Sequence, residues 1–387
     1  MYNIKLLNQI SETGLVNFSA DYKCAEKPEN PDAILVRSAN MHDEKFEESV
    51  KCIARAGAGV NNIPLERCAD EGIVVFNTPG ANANAVKEIV ITGLLLSSRN
   101  VTGGIEWSKT ISDKGSEIPA LVEKGKAQFT GPEISGKKLG VIGLGAVGVL
   151  VANACRHLGM EVYGYDPYIS IKAAWNLSRD VHSVASIKEI FETCDYITIH
   201  MPYNKDTKDT INTDTIATMK DGVRILNFAR GELVNDDAII KALESGKVSA
   251  YVTDFPNEKT LACEKIMSIP HLGASTPESE DNCAVMAVNE VREYLENGNI
   301  INSVNLPNLE LPREATTRLC IINKNVPNIV GSISTLLANA KINIENMANR
   351  SLNDYAYTII ETNSDITDEI LKTIQNTDGI IRVRIIK

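Results

Sequence analysis

The chain has 387 residues, with 43% hydrophobic and 23% charged residues and a formal net charge of −11. Its length predicts two or three domains, and its acidic balance makes nucleic acid an unfavourable partner. No apolar run approaches the roughly 20 residues of a membrane span, and the first residues, MYNIKLLNQI, lack a signal-peptide pattern. We therefore expect no membrane association and a cytoplasmic protein. The eight cysteines contain no C-x-x-C pair, which predicts reduced thiols and no metal site.

Strand-like and helix-like segments alternate over the first part of the chain. Residues 32–38 (DAILVRS), 50–57 (VKCIARAG) and 73–80 (IVVFNTPG) are typical of buried strands, whereas 43–50 (DEKFEESV) and 63–72 (IPLERCADEG) are typical of helices. This βαβ order predicts a parallel, doubly wound sheet. The run AVKEIVITGLLLSSRNV then predicts one long apolar helix, from Ala85 to about Asn100, which we expect to contribute to a dimer surface.

The same alternation restarts at Lys138. Each strand-like segment runs into polar, Gly or Pro residues, as in KLGVIGLG, EVYGYDP, YITIHMP, RILNFARG and AYVTDFP. Open α/β sheets bind their ligands at the carboxyl ends of the strands. We therefore expect a second doubly wound sheet whose strand ends carry the functional residues.

A glycine-rich turn follows the first of these strands. Gly143, Gly145 and Gly148 have G-x-G-x-x-G spacing, and Asp166 ends the next strand 23 positions after Gly143. This motif lies between a strand and a helix, which is the context of a dinucleotide-binding turn. Because a carboxylate accepts from ribose hydroxyls and repels a 2′-phosphate, Asp166 predicts NAD rather than NADP.

Charged residues follow three later strands. Arg230 lies in NFARG, Asp254 and Glu258 lie in TDFPNE, and His271 lies in PHLGAST. An arginine can bind a carboxylate through two hydrogen bonds, and a histidine beside a carboxylate can move a proton near neutral pH. We expect Arg230 to orient an anionic 2-hydroxy acid and His271 to take its hydroxyl proton.

The last 70 residues follow another pattern. After a linker-like NLELPREA, the segments RLCIINK, NIVGSISTLLANA, INIENMANRS, YAYTIIETN, TDEILKTIQN and IIRVRIIK have the order βαββαβ. This order is that of a ferredoxin-like unit.

Taken together, GVIGLGAVG, YDPY, NFARGELV and PHLGAST resemble the D-isomer-specific 2-hydroxyacid dehydrogenases, over nearly the whole chain. Within this family, the chain resembles the members that act on a phosphorylated substrate, as shown by VRSAN, ARAGAGVNNI and the C-terminal unit. It implies NAD-dependent oxidation of 3-phospho-D-glycerate to 3-phosphohydroxypyruvate, the first step of L-serine biosynthesis. The alternatives are another D-2-hydroxyacid dehydrogenase, acting on glyoxylate, hydroxypyruvate or a different phosphorylated hydroxy acid, and a non-enzymatic NAD-responsive scaffold.

The resemblance also implies roles for individual residues. The catalytic residues are Arg230, Glu258 and His271, and Arg37, Arg55, Gly57, Ala58 and Gly59 bind the substrate. The cofactor-binding residues are Gly143, Gly145, Ala146, Val147, Gly148, Asp166, Met201, Pro202, Phe228, Ala229, Asp254, Gly273 and Ala274. DFPNE is one residue shorter than the family's usual run, so either Thr253 or Asp254 meets the nicotinamide side.

The implied organisation has three domains. The substrate-binding domain comprises residues 1–95 and 282–308, the NAD-binding domain 96–281, and an ACT regulatory domain 316–387. The ACT domain implies L-serine as an effector bound near Asn325 and Asn343, between subunits of a homodimer or homotetramer.

Overall fold

The computed structural model describes residues 1–387, which divide into two compact units. The first comprises Met1–Asn82 and Pro277–Lys387, and the second Ala83–Thr276. The expected boundary at 95/96 therefore lies inside a helix, Ala83–Ser98, that belongs wholly to the second unit. The three-domain division stays a prediction. None of the helices combines the length and the hydropathy needed to cross a bilayer.

The first unit begins with a five-stranded parallel sheet in the order β2-β1-β3-β4-β5. Its elements are β1 (Tyr2–Leu6), α1 (Glu12–Leu15), β2 (Tyr22–Ala25), β3 (Ala33–Val36), β4 (Cys52–Arg55), α2 (Leu65–Asp70) and β5 (Val74–Phe76). Strands β3, β4 and β5 are buried almost throughout, as expected for a parallel sheet covered on both faces.

The helix predicted over residues 43–50 is absent, and this prediction is wrong. The guanidinium of Arg67 donates to the carbonyl oxygens of Met41, His42 and Glu44, and it lies 4.7 Å from the ring centroid of Phe46. A distant arginine thus satisfies backbone acceptors at the start of this segment. A local periodicity contains no information about such a donor.

The second unit contains a seven-stranded parallel sheet in the order β12-β11-β10-β9-β6-β7-β8. Its strands are β6 (Lys138–Ile142), β7 (Glu161–Tyr165), β8 (His182–Ser183), β9 (Tyr196–Ile199), β10 (Val223–Asn227), β11 (Val248–Thr253) and β12 (Ile266–Ser268). The prediction of two doubly wound parallel sheets is confirmed.

Nine helices belong to this unit. They are α3 (Ala83–Ser98), α4 (Val101–Thr110), α5 (Ile118–Gly125), α6 (Ala146–His157), α7 (Ile171–Asn176), α8 (Ile187–Thr193), α9 (Thr213–Thr218), α10 (Asp236–Ser245) and α11 (Glu258–Ala262). Two apolar cores pack them on the sheet, and α3 contributes Val86, Val90 and Leu94 to one of these. The packed helices fix the strand ends on which the site depends.

The chain then returns to the first unit through α12 (Pro277–Arg292), which continues as a turn of π-helix over Glu293–Asn297. The rest forms an antiparallel sheet in the order β14-β15-β13-β16. Its elements are β13 (Thr317–Lys324), α13 (Ile329–Asn339), β14 (Asn346–Leu352), β15 (Tyr355–Thr362), α14 (Asp368–Gln375) and β16 (Ile380–Ile386).

This small sheet is covered on both faces. Helices α13 and α14 bury one face around Ile333 and Ile374. On the other face, Ile322 and Tyr357 join the core that contains Val291 and Tyr294. The C-terminal sheet therefore shares a hydrophobic core with the rest of the first unit.

Candidate functional site

The glycine turn of the second unit has the geometry that its motif predicts. Gly143 has φ +93°, where a Cβ would approach the backbone of His200 to 2.7 Å. A Cβ on Gly148 would lie 1.9 Å from the carbonyl oxygen of Gly143. Only glycine fits these two positions, because the turn and the following helix lie directly against neighbouring backbone.

Gly145 differs from its neighbours because open space surrounds it. A Cβ there would meet no atom within 4 Å. Gly145 also precedes α6, and no side chain caps that helix. The exposed backbone N–H groups at Ala146 and Val147 can therefore donate to an anion such as a pyrophosphate. These residues fit a dinucleotide.

Asp166 follows β7 beside this turn. Its Oδ2 accepts from the N–H of Leu144 at 2.8 Å, and its Oδ1 accepts from the N–H of Tyr168 at 2.8 Å. Two backbone donors thus fix the carboxylate, and each oxygen keeps a lone pair for a ribose hydroxyl. The carboxylate that the sequence predicts as the ribose-binding group lies next to the glycine turn, and this role stays a prediction.

The other predicted cofactor residues follow β9 and β10. Met201 and Pro202 lie in the loop after β9, where the Pro202 carbonyl oxygen accepts from Thr207 at 2.8 Å. The side chain of Phe228 is buried against α3, since a Cβ on Gly93 would be 2.9 Å from its ring. At Phe228 and Ala229, the backbone is therefore the part best placed to meet a ligand.

His200, which the sequence left as a competitor of His271, is structural. Its Nε2 lies 2.9 Å from the hydroxyl of Thr198. Burial lowers its pKa to about 3, so the ring is neutral at physiological pH. It packs against the glycine turn, since a Cβ on Gly148 would be 3.6 Å from the Cβ of His200.

Arg230, Asp254 and His271 follow three adjacent strands, β10, β11 and β12. Arg230 is exposed, and its backbone carbonyl accepts from Asn227 at 2.8 Å. Asn227 also accepts from the N–H of Ala229 and is fully buried. Asn227 thereby fixes the turn that carries Arg230. The sequence analysis did not predict this role. A polar residue at the end of an otherwise apolar strand is the sequence feature that could have indicated it.

The turn that carries His271 is anchored by Asp254. Asp254 is 2% exposed, and its two carboxylate oxygens each accept at 2.8 Å, from the N–H groups of Leu272 and Gly273. Burial raises the pKa of Asp254, and the two backbone donors partly offset this. His271 itself is exposed, has φ +55°, and packs edge-on against Phe255 at 5.2 Å between ring centroids.

No hydrogen bond or ion pair joins Glu258 to His271. Glu258 is an exposed residue at the start of α11, and the carboxylate that meets the histidine turn is that of Asp254. Thr253 is 1% exposed, and its hydroxyl accepts from Phe255. Ala274 lies one residue beyond Gly273, at the end of the turn that Asp254 holds.

The predicted substrate residues of the first unit lie together. The Nε of Arg55 donates to the carbonyl oxygen of Arg37 at 2.8 Å. The Arg55 guanidinium lies across the turn Gly57-Ala58-Gly59, where a Cβ on Gly59 would be 2.7 Å from Nη1. Arg37 pairs with Glu280 at 2.5 Å. The Arg55 guanidinium therefore lies beside the glycine turn, and Arg37 meets Arg55 through its backbone; a guanidinium beside a turn of backbone N–H groups suits a phosphate or a carboxylate.

Asn325 and Asn343 lie at opposite ends of the C-terminal sheet. Asn325 follows β13 where Lys324 pairs with Tyr355, and Asn343 precedes β14 where Asn346 pairs with Glu361. Six residue steps along β15, from Tyr355 to Glu361, separate these ends, or roughly 20 Å at the rise of a strand. One chain therefore does not bring the two amides to one ligand.

Residues 103–275 match the family described as D-isomer specific 2-hydroxyacid dehydrogenase, NAD binding domain. The chain is 30% identical to the D-3-phosphoglycerate dehydrogenase of Haemophilus influenzae, over 98% of this chain and 94% of that protein. It is 32% identical to the protein of the same name from Methanocaldococcus jannaschii, over 82% of this chain but only 59% of that protein's length.

Among solved structures, the chain is similar to a 3-phosphoglycerate dehydrogenase of Entamoeba histolytica with bound NAD+. The TM-score is 0.60 at 27% identity, and the match covers 79% of this chain and 98% of that one.

Proposed function

Since this chain belongs to the D-isomer specific 2-hydroxyacid dehydrogenases, whose NAD-binding domain it contains, we propose that it oxidises 3-phospho-D-glycerate to 3-phosphohydroxypyruvate. NAD is the cofactor, and the product is the first intermediate of L-serine biosynthesis. The relatives from Haemophilus influenzae and Methanocaldococcus jannaschii, both named for this activity, support the proposal.

The site residues divide the chemistry among them. NAD, when bound, supplies the acceptor for the hydride of substrate carbon 2. The turn at Gly145 and the start of α6 would hold its pyrophosphate, and Asp166 its adenosine ribose. Arg230 would bind the substrate carboxylate and His271 would accept the hydroxyl proton. The role of Glu258 as the partner of His271 stays a prediction.

The observation that carries the choice of substrate is the Arg55 guanidinium, which lies across Gly57-Ala58-Gly59 and donates to the carbonyl oxygen of the neighbouring Arg37. A phosphate needs several charged donors, whereas glyoxylate or hydroxypyruvate has no second anionic group to engage them. The carboxylate of Glu280 now pairs with Arg37, so we expect a phosphate to displace it. A scaffold without activity would have no need of both Arg230 and His271.

A substrate panel with NAD and NADP tests this proposal. We expect turnover of 3-phosphoglycerate with NAD, and His271→Ala should lower kcat by about 100-fold or more. Arg37→Ala and Arg55→Ala should raise KM for 3-phosphoglycerate and leave KM for glyoxylate unchanged; Arg350→Ala, on exposed strand β14, is the control. Full activity in His271→Ala, or unchanged KM values in both arginine variants, would contradict it.

We also propose that the βαββαβ unit at residues 316–387 is a ferredoxin-like ACT domain that binds L-serine between two copies of the chain. The order of its elements and its antiparallel sheet support this. The separation of Asn325 from Asn343 supports a site shared by two chains, as a homodimer or homotetramer would form.

The cellular location that we propose is the cytoplasm. The eight unpaired cysteines support it, because thiols stay reduced there.

A further inference from the structure

A cavity lies in the first unit, among residues to which no cofactor or substrate role is assigned. It has a volume of about 700 Å³ and lies between α12, the segment 301–310 and the turn at Gly80–Ala81. Its polar lining consists of carboxylates and amides: Asn282, Asn289, Glu290, Glu293, Asn302 and Glu310. This volume is in the range of small-molecule sites. No lysine or arginine lines it, so it repels anions such as the substrate.

Glu290 is the unusual residue of this cavity. It is 5% exposed, and its Oε1 accepts from the side chain of Asn302 at 2.7 Å. Its buried Oε2 has no hydrogen-bond partner. Buried polar atoms are nearly always paired, so this oxygen marks a place where a donor is lacking. The terminal torsion of glutamate is broad, so the carboxylate can turn to present an oxygen to a ligand.

The chemistry of the walls decides which donor fits. The carboxylate of Glu293 already accepts from Asn297 and Asn299, and no group of three His, Cys, Asp or Glu residues in the chain could hold a metal ion. Val285, Met286 and Ile301 supply apolar surface beside the carboxylate. A ligand that matches both parts has a charged N–H donor on a hydrocarbon stem.

We propose that this cavity, the Glu290 pocket, binds a small organic cation, with its ammonium group on the carboxylate of Glu290 and its methylene chain on Val285, Met286 and Ile301. Such a site is separate from the proposed dehydrogenase chemistry and does not depend on it. Burial raises the pKa of Glu290 to about 8, and Glu293 and Glu310 are the other titratable groups that line the pocket. Binding should therefore strengthen as pH rises through this range.

Calorimetry on the full chain with n-pentylammonium chloride tests the site, with 1-pentanol as the neutral isostere and Mg²⁺ as the metal alternative. We expect millimolar or tighter binding of the ammonium, and binding of pentanol weaker by about tenfold or more. The affinity should rise between pH 6.5 and pH 9, where an alkylammonium stays charged because its pKa is near that of lysine, about 10.4.

Glu290→Gln keeps the shape and the bond to Asn302 but removes the charge, so it should lower the affinity about tenfold and remove the pH dependence. Glu278→Gln, an exposed residue of the same helix, is the matched control and should bind as the wild type does. Met286→Trp should fill the pocket and abolish ammonium binding while the carboxylates stay unchanged. This variant tests the site if Glu290→Gln does not fold. Equal binding of ammonium and pentanol, a preference for Mg²⁺, or undiminished affinity in Met286→Trp would overturn the proposal.

Discussion

At the scale of single residues, the carboxylate that organises the proposed catalytic turn is Asp254. The family pattern assigns a carboxylate role to Glu258, yet Asp254 accepts from the N–H groups of both Leu272 and Gly273. Gly273 has no space for a side chain, because a Cβ there would be 2.8 Å from Oδ2 of Asp254. The conformation of the turn that carries His271 therefore depends on one buried acid.

We predict that Asp254→Asn disturbs this turn. An amide can accept from only one of the two N–H groups and presents its own NH₂ to the other, so we expect a loss of about 1–3 kcal/mol in stability and a lower kcat. Glu258→Gln is the control for stability, since Glu258 is exposed at the start of α11. Thermal unfolding and steady-state kinetics measure both effects. An Asp254→Asn protein as stable and active as the wild type would refute this role.

At the scale of secondary-structure elements, a buried ion pair joins two strands of the C-terminal sheet, and its arginine also binds the segment that precedes the sheet. Arg318 on β13 and Glu361 on β15 are both 0% exposed and join Nη2 to Oε1 at 2.6 Å. Arg318 also donates to the carbonyl oxygens of Asn297 and Leu311. The sequence predicts a linker over residues 308–315, and Arg318 binds Leu311 within it and Asn297 before it.

We predict that Arg318→Met destabilises the first unit by about 3–5 kcal/mol, because it leaves Glu361 buried without its partner. The double variant Arg318→Met/Glu361→Leu should recover part of this loss. Lys387→Met, which removes the exposed pair with Asp365 at 3.0 Å, should change stability little. Urea unfolding of the four proteins gives the comparison. A single variant no less stable than the double one would contradict the assignment.

The ion pair between Arg318 and Glu361 also makes the stability of the fold depend on pH. Burial alone would raise the pKa of Glu361, but Arg318 and Asn346 outweigh it and the pKa is lowered from the ordinary value of 4.5. A lowered carboxyl pKa stabilises the fold above the unfolded value, and this contribution disappears as pH falls through the folded value. The stability difference between Arg318→Met and the wild type should therefore shrink as pH falls below 4.5, and the part due to the carbonyl bonds of Arg318 should remain.

At the scale of the whole molecule, the proposed serine site requires two chains. Asn325 and Asn343 lie at opposite ends of β15, so each site would take one asparagine from each of two chains. In a symmetric dimer, a hybrid of an Asn325→Ala chain with an Asn343→Ala chain then has one site with both substitutions and one intact site.

We predict that each single variant loses L-serine binding and that the mixed dimer recovers half of the wild-type stoichiometry. Isothermal titration calorimetry measures this, and Asn339→Ala, exposed at the end of α13, is the control. A mixed dimer without any site would show that both asparagines act within one chain. No heat from the wild type at millimolar serine would leave the C-terminal unit as an assembly module.

Local sequence patterns were sufficient to predict most of the fold and the cofactor of this protein. Alternating segments specified two parallel sheets, and Gly143, Gly145, Gly148 and Asp166 specified NAD binding, which is confirmed. These inferences succeed because strand periodicity, positive φ and close backbone approach are properties of a few neighbouring residues.

Contacts between distant segments decided the rest. Arg67 takes the backbone acceptors of residues 41–44, next to the segment in which periodicity favoured a helix. Asp254 reaches across 18 or 19 positions to the turn of His271, and Tyr357 donates to the carbonyl oxygen of Gly298 from the C-terminal sheet. A hydrogen bond between remote residues exists only after the chain has folded, so tertiary structure alone chose these partners.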